Sequence, residues 1–465
     1  GFKSLHPLSN HTRPKVRAFG RFSLLLAVRA AKSIGSLPRV SSATGLIGVL
    51  LLPLIALALS SDRRRIRLRT VGAGVALQVA LAFLMLRFPP VAVPFDLFAA
   101  GVTKVIGFAG EGTRFLFGGV ADASGPWGFL FAVQVLPIII FFASLMAVLY
   151  HLGIMQRVVA ALAACIRATL GVTGTEALSA AANIFVGQTE APLTVRPFIA
   201  GMTRSQILCV MAGGFATIAG SVMAAYIVLL GGNDEVARIL VAKHFITASV
   251  MSAPAAIVMA KIMLPECDDP PAESLHALKA LPRTSVNIVD AAAQGAIDGL
   301  RLALNVAAML VAFVALIALV NFPLAALSRT EVVSNILGHA GLPELTLENI
   351  LGLLLQPIAW TMGCAADARP VASLMGQQVI ATEFIAYADL ARMQAEGSIT
   401  PRGAHIATFA LCGFANLPSI AIQIGGLSAL APERRSDFAR LAPRAMIAGA
   451  LACWQTAAVA SLFLG

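Results

Sequence analysis

Apolar residues run along this chain in long uncharged windows divided by short polar ones. The windows Ser41–Ser61, Val71–Leu86, Trp127–Tyr150, Ser205–Asn233, Leu302–Ser328 and Gly403–Pro432 lie near or above the ~20 residues that cross a hydrocarbon core as helix. Lipid offers no partner to an unpaired amide, so each can satisfy its own backbone only as helix. The pattern predicts an all-α integral membrane protein with about eight transmembrane helices.

Three stretches depart from that pattern. Pro94–Gly119 carries Asp96, Lys104, Glu111 and Arg114, which suits a helix lying at the membrane interface. Pro137 sits inside the Trp127–Tyr150 window and predicts a kink. The main polar interlude, Pro265–Arg301, holds Pro265, Pro270, Pro271 and Pro282. It ends in an amphipathic segment, Asn287–Arg301, in which Val289, Ala292, Ala296 and Leu300 share a face while Asp290 and Asp298 are polar.

That interlude separates two halves that repeat each other. In the first, Gly187-Gln188-Thr189-Glu190-Ala191-Pro192 interrupts an apolar stretch, and Gly214-Phe215-Ala216-Thr217-Ile218-Ala219-Gly220-Ser221 lies inside the next one. In the second, Thr382-Glu383-Phe384 interrupts an apolar stretch, and Gly413-Phe414-Ala415-Asn416-Leu417-Pro418-Ser419 follows. Paired, Gly/Pro-interrupted hydrophobic segments at corresponding places mark a transporter's midplane site, because broken helices leave amide and carbonyl ends free for a ligand. The expectation is two re-entrant hairpins and two broken helices in an inverted repeat. The organisation read from this is a basic extension (1–40), scaffold and interfacial helices (41–150), a first transport repeat (151–264), a linker with amphipathic and scaffold helices (265–330) and a second transport repeat (331–465).

Composition narrows the class. Hydrophobic residues make up 58% of the 465 and charged residues 12%, about half the charge of a soluble domain. The formal charge of +11 sits in short loops such as Asp62-Arg63-Arg64-Arg65-Ile66-Arg67-Leu68-Arg69, which the positive-inside rule places on the cytoplasmic side. With no basic face carrying interleaved aromatics, a nucleic-acid partner is not expected. The six cysteines are scattered without a Cys-x-x-Cys pair, and Walker A, His-Glu-x-x-His and Gly-x-Ser-x-Gly patterns are missing. An ion gradient must then drive transport. The first forty residues carry eight Lys or Arg and no acid. They read as an extension upstream of the true start or a leftover fusion segment, with an interfacial helix around Val16–Ile34 as the alternative, and are given no function.

Glu190 and Glu383 are the sharpest chemical signals, since carboxylates inside apolar spans are costly and usually face a polar cavity. The bland alternative is a structural ion pair, to Arg196 or Arg369. Asn416 and Ser419 either share a helix face or flank an unwound turn at Pro418, against a plainer role as interhelical glue. Asn183 and Thr217 are small polar residues for which that plainer role weighs more. His244 and His405, beside Lys243 and Arg402, are expected at helix ends near the interface.

Asn183-Ile184-Phe185-Val186-Gly187-Gln188-Thr189-Glu190-Ala191-Pro192, the Gly214–Ser221 run, Glu383-Phe384-Ile385-Ala386-Tyr387 and Cys412-Gly413-Phe414-Ala415-Asn416 together resemble the concentrative nucleoside transporter family. Val135-Leu136-Pro137-Ile138-Ile139-Ile140-Phe141-Phe142 and Ile424-Gly425-Gly426 add to the likeness, which runs from about Gly45 to the C-terminus. The resemblance implies a multi-pass protein of the bacterial inner membrane, a homotrimer with one pathway per protomer, and an elevator-like symporter that is no enzyme. By it, Gln188, Thr189, Glu190 and Val222 face the nucleobase of a uridine- or adenosine-type substrate, while Glu383, Asn416 and Ser419 face the ribose with Phe414 close by. It also implies a Na⁺ site from the side chains of Asn183 and Thr217 and the carbonyls of Val186 and Ile218. H⁺ is the alternative coupling ion, since a buried carboxylate can take up a proton. Thr382 departs from the family pattern, in which Asn commonly precedes this Glu. Two other classes compete: a channel, which the clustering at two hairpin tips disfavours, and an intramembrane enzyme using Glu190 and Glu383 as acid and base, which lacks a nucleophile or metal set.

Overall fold

The computed structural model describes residues 39–122, 125–128, 130–232, 234–268, 285–340 and 344–464. Nearly all of the basic extension and the linker prolines Pro270, Pro271 and Pro282 lie outside the described residues. Every regular element among the described residues is helical. Six helical stretches there are long and apolar enough to cross a membrane, and Thr44–Ala58 and Leu417–Leu430 are shorter apolar helices.

The first half opens with α1 (Arg39–Ala58), α2 (Leu68–Leu86) and α3 (Pro89–Phe117), followed by α4 (Leu136–His151) and α5 (Ile154–Leu170). Pro137 stands at the start of α4, after a one-turn segment Phe131–Gln134, so it sets a helix entry where a mid-helix kink was expected. Hairpin 1 consists of α6 (Gly174–Asn183), a turn, and the short helical stretches Ala191–Val195 and Arg196–Ile199. The first broken helix follows as α7 (Arg204–Phe215) and α8 (Gly220–Gly231), and then the unbroken α9 (Glu235–Met263).

The second half begins with α10 (Ile288–Ser328), α11 (Glu331–Ala340) and α12 (Leu347–Thr361). Hairpin 2 is α13 (Ala368–Ile380) and α14 (Glu383–Glu396); the second broken helix is α15 (Pro401–Ala410) and α16 (Leu417–Leu430); α17 (Arg435–Ser461) closes the chain. The order hairpin, broken helix, long helix is thus the same in both halves. The amphipathic segment and the Leu302–Ser328 span, read separately in the sequence, form one 41-residue helix. At ~1.5 Å per residue it is about 60 Å long, roughly twice the hydrocarbon thickness. Its small residues Gly295 and Gly299 allow a close crossing: a Cβ on either would lie within 2.8 Å of α4 atoms around Ala143 and Ala147.

Burial divides the helices into two sets. The most apolar windows of α7–α8 and of α9 are 94% and 83% buried within the protein, whereas that of α10 is 6% buried and that of α2 28%. An apolar helix hidden on all sides belongs to a core, and one bare on most of its circumference needs lipid or another chain around it. The hairpins, broken helices, α9 and the C-terminal part of α17 therefore form an inner body, with α1–α4 and α10 outside it.

Each repeat is tied at its base by polar groups that complete helix ends. In the first, Thr173 caps α6 and Thr203 caps α7 in capping boxes with Glu176 and Gln206. Gln206 also donates to Thr173 Oγ1 (3.1 Å), and Lys261 of α9 bridges Glu176 (2.5 Å) and Glu266 (3.2 Å). In the second, Asp367 accepts from both the amide and the hydroxyl of Thr400, the cap of α15.

Candidate functional site

The two breaks meet at the centre of the inner body. Helix ends leave backbone carbonyls without intrahelical partners, and here glutamine side chains supply donors. Within the second half, Gln378 Nε2 on hairpin 2 donates to the carbonyls of Leu411 (3.1 Å) and Gly413 (2.7 Å); across the halves, Gln423 on α16 donates to Met211 on α7 (2.9 Å). Contact is close enough to demand glycine: a Cβ at Gly413 would fall 2.6 Å from the Phe215 carbonyl oxygen, and one at Gly220 2.9 Å from that of Phe185.

Hairpin 1 turns at Gly187, whose carbonyl accepts from the amides of Glu190 and Ala191, both at 3.0 Å. The tip points Gln188 inward, 6% exposed and with Oε1 unpartnered, while Thr189 and Glu190 stand exposed. Hairpin 2 turns at Thr382, which caps α14, so Glu383 becomes the first residue of that helix, where the helix dipole favours a negative charge. Glu383 is 4% exposed. Its Oε1 accepts from Tyr226 Oη at 2.8 Å and its Oε2 from Asn416 Nδ2 at 2.9 Å. Asn416 caps α16 and accepts from the Ser419 amide at 2.8 Å, so it flanks the unwound turn and serves as cap and carboxylate partner together.

These groups converge on one cavity of about 360 Å³. It is lined by Gln188, Thr189 and Glu190 from hairpin 1, Val222 from α8, Glu383 from hairpin 2, and Phe414, Asn416 and Ser419 from the second break. Every residue singled out in the sequence as substrate-facing is thus brought to one wall or another of a single space. Neither carboxylate has an ion pair among the described residues, so the bridges to Arg196 and Arg369 are not formed. Two carboxylates, two amides and hydroxyls over apolar and aromatic surface can accept from ligand hydroxyls, match a heteroaromatic edge and cover a flat ring.

The four oxygens expected to hold Na⁺ come from two unwound segments joined by the Gly220 amide and the Phe185 carbonyl (2.9 Å). Asn183 is fully buried; its amide donates to Ser179 (3.0 Å), while Oδ1 has no partner. The Thr217 hydroxyl donates to Gly213 (3.0 Å), leaving its lone pairs free, and a Cβ at Gly213 would touch the Asn183 amide at 3.1 Å. Among the described residues the carbonyls of Val186 and Ile218 accept no hydrogen bond. A fully buried oxygen without a donor beside unpaired carbonyls fits a hard, non-titrating cation. No cluster of three or more His, Cys, Asp or Glu among the described residues could hold a metal ion.

Sequence reading missed several members. Tyr226 is the main one: it lies in the core of an aromatic cluster, 4.5 Å from Tyr387 and 4.8 Å from Phe384 between ring centres. Its signal was a hydroxyl in an apolar helix, which needs a partner when buried. The wall formed by Leu302, Asn305, Val306 and Met309 of α10 also went unread. One reading is corrected. His244 is 3% exposed in the interior of α9 and meets His405 at 4.7 Å, edge to face. Charged neighbours in sequence pointed to helix ends at the interface, but His244 is buried mid-helix and His405 is half-buried against it.

Comparison with known proteins adds independent findings. Family models described as Na+ dependent nucleoside transporter N-terminus, nucleoside recognition, and Na+ dependent nucleoside transporter C-terminus match residues 47–120, 132–233 and 244–461. An uncharacterized transporter of Haemophilus influenzae is 44% identical over 434 residues, which cover 92% of this chain and 99% of that protein. The nucleoside permease NupC of Helicobacter pylori is 38% identical over 433 residues, covering 91% and 98%. The structure of CNTnw in an inward-facing substrate-bound state superposes with a TM-score of 0.80 at 40% identity, covering 91% of this chain and 98% of that one. A substituted CNTnw in an outward-facing state gives 0.81 at 39% identity with the same coverages.

Proposed function

Since this chain belongs to the concentrative nucleoside transporter family, and is a multi-pass membrane transporter and not an enzyme, we propose that it imports nucleosides by Na⁺ symport. The substrates are of uridine or adenosine type and the membrane is a bacterial inner membrane. The observation that carries this reading is the single cavity into which both hairpin tips and both breaks send their polar residues. Glu383 and Asn416, with Ser419, take the ribose; Gln188, Thr189 and Glu190, with Val222, take the base; Phe414 covers the ring. Glu383 is held by two donors before any ligand arrives, and a carboxylate's further lone pairs can each accept a ribose hydroxyl.

Na⁺ coupling follows from the unpartnered Asn183 Oδ1 and the free carbonyls beside it. Asn183 lies seven residues before Glu190, at the other end of the hairpin 1 turn, so an ion there orders the loop that presents the base-side residues. By linkage, ion and substrate then strengthen each other's binding. The division into a buried inner body and bare outer helices supports movement of hairpins and broken helices as one elevator-like unit. The hairpins in this reading are re-entrant, and three copies associate through the outer helices, where α3 turns Phe98, Phe108 and Phe115 outward.

The test is uptake of labelled uridine into sealed vesicles. Uptake is expected to rise steeply with external Na⁺ at constant pH. Equal uptake driven by a pH gradient without sodium would transfer the coupling to H⁺, and no uptake under either gradient would sink the reading.

A further inference from the structure

Glu190 faces more than one space. On the side away from Glu383 a second cavity, of about 340 Å³, lies between hairpin 1 and the outer helices α4 and α10. A smaller one of about 130 Å³ shares Ala219 with the central cavity and Val186, Tyr150 and Asp298 with the second, and Glu190 lines all three. The second cavity is in the range of ligand pockets, ~300–1,000 Å³, and nearly equals the central one.

Some of its polar groups bond one another, as His151 Nδ1 and Ser285 Oγ do at 2.7 Å, and others are left without a partner. The Gln156 amide donates to the Tyr150 carbonyl (2.6 Å), which leaves Gln156 Oε1 without a donor, and Tyr150 Oη is buried with no partner. Gln294 donates to Asp298 Oδ1 (3.2 Å), and the same oxygen forms a long, exposed ion pair with Arg301 (3.8 Å), which leaves Asp298 Oδ2 uncommitted. Glu190 and Asp298 line the same space as Tyr150 and Gln156, whose orphan hydroxyl and amide oxygen lie buried in its wall. Such a wall accepts more than it donates, so it suits a neutral ligand rich in O–H and N–H groups. Two carboxylates repel a phosphate, and Arg196 in the same wall opposes a free cation.

We propose that this cavity is a second nucleoside station, in which Tyr150 and Gln156 meet the base and Asp298 and Glu190 the ribose. The inference rests on the nucleoside reading of the central cavity. Glu190 then belongs to both stations: it meets the base in the central one and the ribose in the second, so a nucleoside leaving Glu383 exchanges its contacts at one shared carboxylate. Hairpin 1 carries Glu190 and α10 carries Asp298, so the station joins the inner body to the outer helices.

The experiment uses the full chain in lipid nanodiscs, an aryl-azide uridine as photoprobe, and peptide mapping by mass spectrometry. Two labelled regions are expected, one around Phe414 and one spanning Tyr150–Gln156, both suppressed by excess uridine. Tyr150→Phe combined with Gln156→Ala is expected to cut the second label roughly tenfold, the loss of two hydrogen bonds, with the first unchanged. The first label also reports folding; where the double variant loses it, Tyr150→Phe alone is judged by the same ratio. Label at Phe414 only, label at Tyr150–Gln156 that excess uridine does not displace, or label indifferent to the variants overturns the second station and leaves the central one standing. Label at neither region overturns both.

Discussion

At the tip of hairpin 2, Glu383 is 4% exposed and both of its oxygens are already bonded, to Tyr226 and Asn416. At the tip of hairpin 1, Glu190 is exposed to the cavities it lines and has no ion pair among the described residues. The same residue type at corresponding places in two repeats thus has two different jobs. Desolvation of Glu383 is met by fixed donors when the protein folds, so ligand binding need not order that group again. Glu190 sits on a turn held by two backbone bonds to Gly187, and no side chain among the described residues donates to its carboxylate. One tip is a fixed anchor and the other an adjustable contact.

The comparison breaks first, and hardest, at Glu383. Glu383→Gln keeps the volume but removes the charge, and its new amide hydrogens face Asn416 Nδ2 or Tyr226 Oη, which are themselves donors. A charge-assisted hydrogen bond is worth ~1.5–3 kcal/mol, so uridine affinity measured by calorimetry is expected to fall roughly 10- to 150-fold. Wild-type affinity in that variant would strip Glu383 of the ribose role.

Next in size is Asn183→Ala, which deletes the unpartnered buried oxygen behind hairpin 1. The dependence of uridine uptake on external Na⁺ is expected to flatten, by the linkage between ion and substrate. An unchanged sodium curve would assign Asn183 a structural role only. Glu190→Gln follows. With no ion pair and no side-chain donor to lose among the described residues, it is expected to lower uptake while weakening uridine binding by less than about tenfold, the worth of one neutral hydrogen bond. Normal uptake by this variant would reduce Glu190 to a structural residue.

Much of this architecture was legible before any coordinates. A carboxylate in an apolar span and a Gly-Phe-Ala break are local features, and their costs can be read from a few neighbouring residues; both tips and both breaks stand where those features put them. What was illegible depends on distance along the chain. Tyr226 meets Glu383 across 157 positions, and periodicity carries no record of such a pairing. The α10 wall is apolar apart from Asn305, so nothing marked it as facing ligand instead of lipid. The amphipathic segment and the span after it differ in composition yet have no Gly-Pro stop between them, and the helix runs on. The His244–His405 pair was misplaced because adjacent charges say where a helix ends only when the helix ends there.

The finest probe of the anchor is Tyr226→Phe. The ring's packing against Tyr387, Phe384 and Phe245 does not involve the hydroxyl, so the cluster is expected to survive. What goes is one of the two donors that hold Glu383, leaving Asn416 alone to fix the carboxylate. Part of that loss is made good, because water or a ribose hydroxyl can take the vacated lone pair. The net effect on uridine affinity is therefore expected near that of an ordinary hydrogen bond, about 1 kcal/mol or fivefold. The decisive measurement is the double-mutant cycle. Tyr226 has no contact with substrate in this reading and acts only by positioning Glu383, so Tyr226→Phe in a Glu383→Gln background is expected to cost nothing further. If the two losses simply add, Tyr226 meets the nucleoside directly or shapes the cavity by itself, and Glu383 is not the prepared anchor that distinguishes hairpin 2 from hairpin 1.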